Sequence, residues 1–241
     1  MQPAPAAPGQ VSAAVATPKV AHEWLRRVEA EYTSAAITQE LVLWLIRLGA
    51  PPELITDGLR IVEDELTHAA MSHAVAQAAG LDERPRLVQE RLGLPRDASR
   101  PLIVDVALHG VEVFCLGETV AVPLFVAMRE GCTVPVAREA LDRIVRDEVR
   151  HRDFGWTLLD WLAEAAGDPI LELLQKALPG MLARVRGNYG QADFDHRDTE
   201  PLETDAAWGL IPTPRYASIL ERCITRDYVP RFERVGLTLE A

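Results

Sequence analysis

Two short stretches decide how this chain is read: Asp64-Glu65-Leu66-Thr67-His68 and Asp147-Glu148-Val149-Arg150-His151. Each spells Asp-Glu-x-x-His. On an α-helix, Glu and His three residues apart share a face and reach one metal ion. The Asp stands four residues before the His, one turn away on that face. It is placed to accept the proton of the imidazole nitrogen that does not bind metal, so Asp64 is expected to orient His68, and Asp147 to orient His151. A single Glu-x-x-His is a weak signal in a chain with 36 acidic residues. Solvated acidic faces with incidental histidines account for one copy. They do not account for two, each preceded by Asp.

Outward from these motifs the chain reads as all-α. Period-2 alternation is scarce and no Asn-Gly hairpin turn occurs. Four long helical segments stand out, at about Val20–Leu48, Pro52–Ala79, Pro101–Glu130 and Pro135–Ala166. Gly49 before Pro51-Pro52, and Gly131 before Pro135, mark a helix stop followed by a new start. A polar connector, Leu81 to Arg100, contains Arg84-Pro85 and Leu94-Pro95. Short turns force antiparallel neighbours, so the expected fold is a four-helix bundle of two hairpins joined by a long crossover. One motif lies on the second helix and one on the fourth. Residues 1–19 read as a disordered leader, 20–166 as the bundle, and 167–241 as a helical extension packed on it. That extension holds two further helices around an irregular stretch, Gly187 to Thr213.

A dinuclear bundle site needs one carboxylate from each of the other two helices. On the first helix, Glu31 shares a stripe with Trp24, Val28, Ala35, Thr38, Val42 and Leu45, whereas Glu40 falls on the face of Arg26, Thr33 and Arg47. On the third, Glu118 sits among Val111, Phe114, Ala121, Phe125 and Met128, at a depth from the Gly131 turn that matches Glu148. Glu112 lies roughly 120° away, and Glu139 on the fourth helix falls opposite Glu148. The expected metal ligands are therefore Glu31, Glu65, His68, Glu118, Glu148 and His151, with Asp64 and Asp147 behind them. Four carboxylates balance two divalent ions and repel one another strongly without them. Oxygen-rich donors with two imidazoles suit two iron ions, or manganese or a mixed pair, and the lack of thiolates disfavours structural zinc.

Composition limits the partners. Lys and Arg number 25 against 36 Asp and Glu, a formal charge of −11. That balance argues against nucleic acid and against anionic membrane surfaces. The most apolar stretch, Val104 to Met128, carries Asp105, His109, Glu112 and Glu118, which a membrane span tolerates poorly. The leader lacks a basic start, a sustained apolar core and a cleavage site, so it does not read as a signal peptide. Cys115, Cys132 and Cys223 are far apart and read as buried apolar residues in a reducing compartment. The expected location is cytoplasmic.

Asp147-Glu148-Val149-Arg150-His151 is similar to the D-E-x-R-H motif of bacterial di-iron monooxygenases. The runs Glu31-Tyr32-Thr33-Ser34-Ala35-Ala36, Gly49-Ala50-Pro51-Pro52 and Gly117-Glu118-Thr119 resemble bacterial ferritin-like domain proteins of unsettled activity, within the ferritin-like di-iron carboxylate superfamily. The resemblance covers about residues 20–166, and more loosely the tail. It implies two metals, usually iron, that react with oxygen or peroxide. The expectation is an enzyme, a non-haem di-iron oxidase or oxygenase, acting on a small organic substrate with oxygen. An electron-donor protein and a homodimer are further expectations. The rivals are iron oxidation and storage, manganese-dependent peroxide disproportionation, and a metal-bearing interaction module. A closed storage shell fits poorly with the 75 residues that follow the bundle (241 − 166).

Other features have plainer readings. Pro123, five residues after Glu118, is expected to kink the third helix, either widening a pocket beside the metals or as simple core irregularity. The tryptophans at helical spacing read as packing, and His73 and His109 as satisfied or exposed histidines. The stretch from Gly187 to Thr213 reads as a strap or as a cap over one end of the bundle.

Overall fold

A computed structural model describes residues 15–190 and 203–239, with only the backbone of residues 189 and 190. The described residues are helical and contain no strand. The leader expected over residues 1–19 lies outside them except for its last five residues, and the helix already begins at Pro18.

Helix α1 (Pro18–Leu48) is capped by Thr17, whose hydroxyl accepts the Val20 N–H, and it ends at Gly49 with φ of 70°. Glycine adopts that left-handed conformation without the cost of a Cβ. The chain reverses through Ala50 into α2 (Pro52–Ala78), which starts on proline. A crossover with one 3₁₀ turn, Gln89–Arg91, leads to α3 (Leu102–Gly131). A second tight turn leads to α4 (Pro135–Ala166). These boundaries follow the proline and glycine punctuation of the sequence. α1 lies along α2, α2 packs against α4, and α4 packs against α3. α3 returns to α1 chiefly through its first stretch, Leu102–Gly110, which leaves a seam between α1 and the rest of α3.

α3 departs from the uniform helix expected. Residues Val111–Glu118 are a π-helix, and the α-helical pattern resumes at Thr119. A π segment fits an extra residue into the turn and is frequent at functional sites. The Tyr228 hydroxyl donates to the Leu116 carbonyl inside this segment at 2.5 Å. Gly155 on α4 lets the backbones meet there. A Cβ at Gly155 would lie 2.6 Å from the Phe114 carbonyl carbon and 2.7 Å from its oxygen.

The chain after α4 joins the same core. Helix α5 (Asp168–Gly190) brings Leu174, Leu178 and Met181 against α3 and α4. Helix α7 comprises Thr213–Cys223, a π turn Ile224–Tyr228, and Val229–Arg234. It adds Ile219, Tyr228 and Phe232 to that core, with Phe232 edge-on to Trp156 at 5.0 Å. Short helix α6 (Glu203–Ala207) seats on the end of the bundle. The Ala207 carbonyl accepts the N–H groups of Thr133 and Val134, and the Trp208 carbonyl accepts the Trp24 indole N–H at 3.0 Å. This described part of the 187–213 stretch covers the bundle end far from the turn at Gly49. Residues 191–202 lie outside the described residues, and 187–190 belong to α5.

One described helix, Leu102–Gly131, is long and apolar enough to cross a membrane by composition, and half of its apolar window is buried. It also carries the fully buried Asp105, held by Arg96 and Arg100. These features are compatible with a soluble protein.

The close approach at Gly155 generates a stability prediction. Gly155→Ala puts a methyl group into backbone that cannot step aside, and should cost about 1–3 kcal/mol despite better helix propensity. Gly110→Ala meets only the Leu158 Cδ2 tip at 2.6 Å and should cost far less. Urea denaturation of both variants checks this; equal costs would contradict the assigned contact.

Candidate metal centre

α2 buries Asp64, Glu65 and His68, and α4 buries Asp147, Glu148 and His151. The two motifs face each other across the bundle, with imidazole centroids 5.8 Å apart. The His68 Nδ1 lies 3.6 Å from Glu65 Oε2, 3.9 Å from Glu148 Oε1 and 4.0 Å from Glu31 Oε2. The His151 Nδ1 lies 3.5 Å from Glu65 Oε1, 3.6 Å from Glu148 Oε2 and 3.9 Å from Glu118 Oε2. The structure therefore brings all six sequence-predicted ligands together.

These distances divide the residues into two overlapping sets that can each hold a metal ion. Glu31, Glu65, His68 and Glu148 form one, and Glu65, Glu118 and His151 the other, with donor atoms of each set within 4.8 Å of one another. Glu65 and Glu148 each turn one oxygen toward each histidine, so both stand between the two positions. Glu31 serves only the His68 side, and Glu118 only the His151 side.

The donor atoms behave as a metal site requires. Glu31 Oε1, Glu65 Oε2, Glu148 Oε2 and both histidine Nδ1 atoms are buried without a hydrogen-bond partner. Buried polar atoms are rarely left so, and here five of them converge on one space. Burial, then the charges of Glu65 and Glu148, holds the Glu31 carboxyl well above its ordinary pKa. Burial with Glu148 and Glu65 does the same to Glu118. Burial alone lowers the pKa of His151, but its contacts with Asp64 and Glu148 outweigh that and push it up to about 11. Burial raises Glu65, while contacts led by His68 outweigh it and bring Glu65 to about 2. Without cations the cluster must take up protons to relieve like-charge repulsion, and two divalent ions supply the same relief.

Both aspartates orient histidines, but crosswise. His68 Nε2 meets Asp147 Oδ2 at 3.2 Å, and His151 Nε2 meets Asp64 Oδ2 at 3.4 Å. The expectation of pairing within each motif is corrected. Each imidazole points Nδ1 at the shared centre, so its Nε2 projects across the interface, where the other helix's aspartate stands. The Arg150 guanidinium donates to Asp64 at 2.7 Å and to Asp147 at 2.9 Å. Arg143 bonds Asp147 and reaches Asp64 at 3.3 Å. Both aspartates have lowered pKa values. Burial opposes this in each case, and hydrogen bonds to His151 and Arg150 outweigh it for Asp64, as those to Arg143 and His68 do for Asp147.

Sequence reasoning missed three contributors. Arg150 stood inside the quoted motif, and Arg143 precedes Asp147 by one turn, so both were visible as helical neighbours. Ser34, three residues after Glu31, donates to Glu65 Oε1 at 2.7 Å. Three discarded or secondary residues have structural roles. Glu40 is no solvated side chain: its Oε2 accepts the Leu94 N–H at 2.6 Å and anchors the crossover. Glu112 pairs with Arg184 on α5. His109 meets the Pro95 carbonyl at 2.9 Å. Glu139 is exposed, as expected.

A cleft of about 690 Å³ runs down the seam between α1 and α3 and ends on Glu118 and Ser34. Gly117 forms part of its wall, where a Cβ would approach nothing nearer than the Glu112 carbonyl at 3.7 Å. The π segment and Gly117 accompany this opening. Pro123 does not, because it lines a separate cavity against α7.

Comparison with protein families, with curated proteins and with solved structures returns no match. An all-helical chain with a buried Glu/His cluster that can bind metal is compatible with a ferritin-like fold.

The crosswise pairing is open to a direct check. In zinc-loaded protein with nitrogen-15 in its histidine rings, Asp147→Asn should chiefly move the His68 Nε2 resonance, and Asp64→Asn that of His151. Each change should also weaken metal affinity by about 10–100-fold. Larger shifts in the histidine of the same helix would restore the pairing within each motif.

Proposed function

We propose that this chain is a non-haem di-iron oxidoreductase on a ferritin-like bundle, one that activates oxygen toward a small organic substrate. The observation that carries the reading is the paired donor set with a cleft ending on one of its members. Glu31, Glu65, His68 and Glu148 would hold one iron. Glu65, Glu118, Glu148 and His151 would hold the other. The four carboxylates favour hard, oxygen-loving ions and offset their charge. When bound, two ferrous ions can together deliver two electrons to oxygen with each reaching only the ferric state, whereas zinc has no redox change to offer.

The chain's own residues supply position and exclusion of water. Asp147 and Asp64 fix the tautomers of His68 and His151, keeping each Nδ1 lone pair directed at the centre. Arg143 and Arg150 hold the two aspartates ionised. Ser34 fixes one oxygen of Glu65. The cleft brings an organic molecule beside Glu118 while both histidines stay fully buried. For an oxygenase reaction, a C–H bond, one O₂, two electrons and two protons give a C–OH group and one water. The substrate does not supply those two electrons, so the reading includes an external electron donor. An oxidase reaction instead draws its electrons from the substrate.

The test is oxygen uptake after anaerobic iron loading. The di-ferrous protein should consume oxygen rapidly and build no mineral when iron is in excess. Mineral growth beyond two irons per chain would replace this reading with storage. No uptake, with or without candidate substrates, would leave manganese-dependent peroxide chemistry or a non-enzymatic role.

A further inference from the structure

The crossover between α2 and α3 is fastened beside the cleft at three points. Glu29 Oε1 accepts the Arg86 N–H at 2.7 Å, and Glu40 Oε2 accepts the Leu94 N–H at 2.6 Å. Further along, the Pro95 carbonyl meets His109 Nε2 at 2.9 Å. The first two are charge-assisted bonds from backbone to carboxylates of α1, about twice as strong as neutral ones. Between them the chain makes the 3₁₀ turn Gln89–Arg91. The segment bearing Arg86 and Arg91 is thus held at both ends against α1, and both residues line the cleft.

Neither guanidinium has a carboxylate partner among the described residues. Elsewhere Arg129, Arg186, Arg215 and Arg234 each hold an acidic side chain, whereas Arg47, Arg222 and Arg226 share the open state of Arg86 and Arg91 among the described residues. Around the cleft itself, Arg26 is taken by Glu23, Glu112 by Arg184, and Glu29 by the Arg86 N–H. In a chain of net charge −11, Arg86 and Arg91 are the two guanidiniums of this cleft that no carboxylate among the described residues holds. Between the partnered side chains the wall carries Ala30, Ile37, Val113, Gly117 and Ala121, and Glu118 and Ser34 line the end beside the metal centre.

We propose that this cleft binds a small anionic amphiphile. Its carboxylate or phosphate head is held by Arg86 and Arg91 at the rim, and its uncharged chain runs past Gly117 toward Glu118. Charge fixes the orientation. An anionic end at the floor meets four carboxylates whose charge the metals only just balance, and an ammonium at the rim meets two guanidiniums. A cavity of about 690 Å³ lies within the range of roughly 300–1,000 Å³ usual for small-molecule sites. The assignment of this molecule as substrate rests on the oxidoreductase reading; recognition of its head does not depend on the metals.

Calorimetric titration of hexanoate, hexyl phosphate, hexanol and hexylammonium into the full chain, both metal-free and loaded with iron(II) under anaerobic conditions, tests this. Both anions should bind both forms, about 10-fold or more tighter than hexanol, with hexylammonium weakest; the tighter anion names the head group. The exposed double change Arg86→Ala/Arg91→Ala should bring the anions down to the level of hexanol and leave hexanol unchanged. Gly117→Leu should weaken all chains while metal content stays the same. The proposal is overturned if no anion binds, if hexanol matches the anions, or if the double variant binds anions as the wild type does. It is also overturned if anions bind only with iron present, which would put the head on the metals. Anion binding as described, with no oxygen uptake, would remove the oxidoreductase reading and keep the cleft assignment. Oxygen uptake with arginine-independent binding would do the reverse.

Discussion

Four carboxylates buried around one small space cannot all stay ionised unless cations join them, and the architecture depends on that constraint. Taking a carboxylate out of water costs several kcal/mol even after relaxation, and Glu31, Glu65 and Glu148 are all less than a tenth exposed. The helices carrying them are held by two apolar clusters, one from Leu41 on α1 to Phe232 on α7 and beyond, the other joining Val20, Trp24, Val75, Leu141 and Trp208. Those clusters hold together charges that would otherwise push the helices apart. The charged centre and the apolar frame are complementary: the frame gives position, and the centre presents converging donor atoms that could hold a metal ion.

The same constraint explains the outer layer. Each histidine must keep one nitrogen free for the centre and so needs a proton acceptor on the other. The aspartates serve this from the opposite helix, tying α2 to α4 through two ring-spanning contacts. Two aspartates so close would themselves repel, and Arg150 and Arg143 lie between them. On the other side of the centre, α3 loosens into a π segment, braced by Tyr228 and pressed on by Gly155. There Glu118 is the most exposed of the six donor residues, and the cleft meets it.

Much of this was legible in the sequence, for identifiable reasons. The four long helices are announced by Gly49, Pro52, Gly131 and Pro135, and the period of apolar residues placed Glu31 and Glu118 inward and Glu139 outward. Helical spacing is a one-dimensional rule, and it fails where the deciding contact crosses between helices. The aspartate–histidine exchange, the Ser34 bond to Glu65 and the anchoring of the crossover by Glu29 and Glu40 are all of that kind. The π segment was hidden because Val111 to Glu118 holds no proline and keeps an apolar helical pattern, while the contacts it makes with Gly155 on α4 and Tyr228 on α7 come from distant sequence. Pro123 drew attention in its place, yet it faces a different cavity.

The central claim is that Glu65 and Glu148 stand between two metal positions. Manganese(II) titration followed by electron paramagnetic resonance tests it most directly, because carboxylates shared by two ions couple their spins. The account predicts saturation at two ions per chain, with an exchange-coupled spectrum that replaces the signal of isolated manganese. Saturation at one ion per chain, or two ions with the spectrum of independent centres, would contradict it.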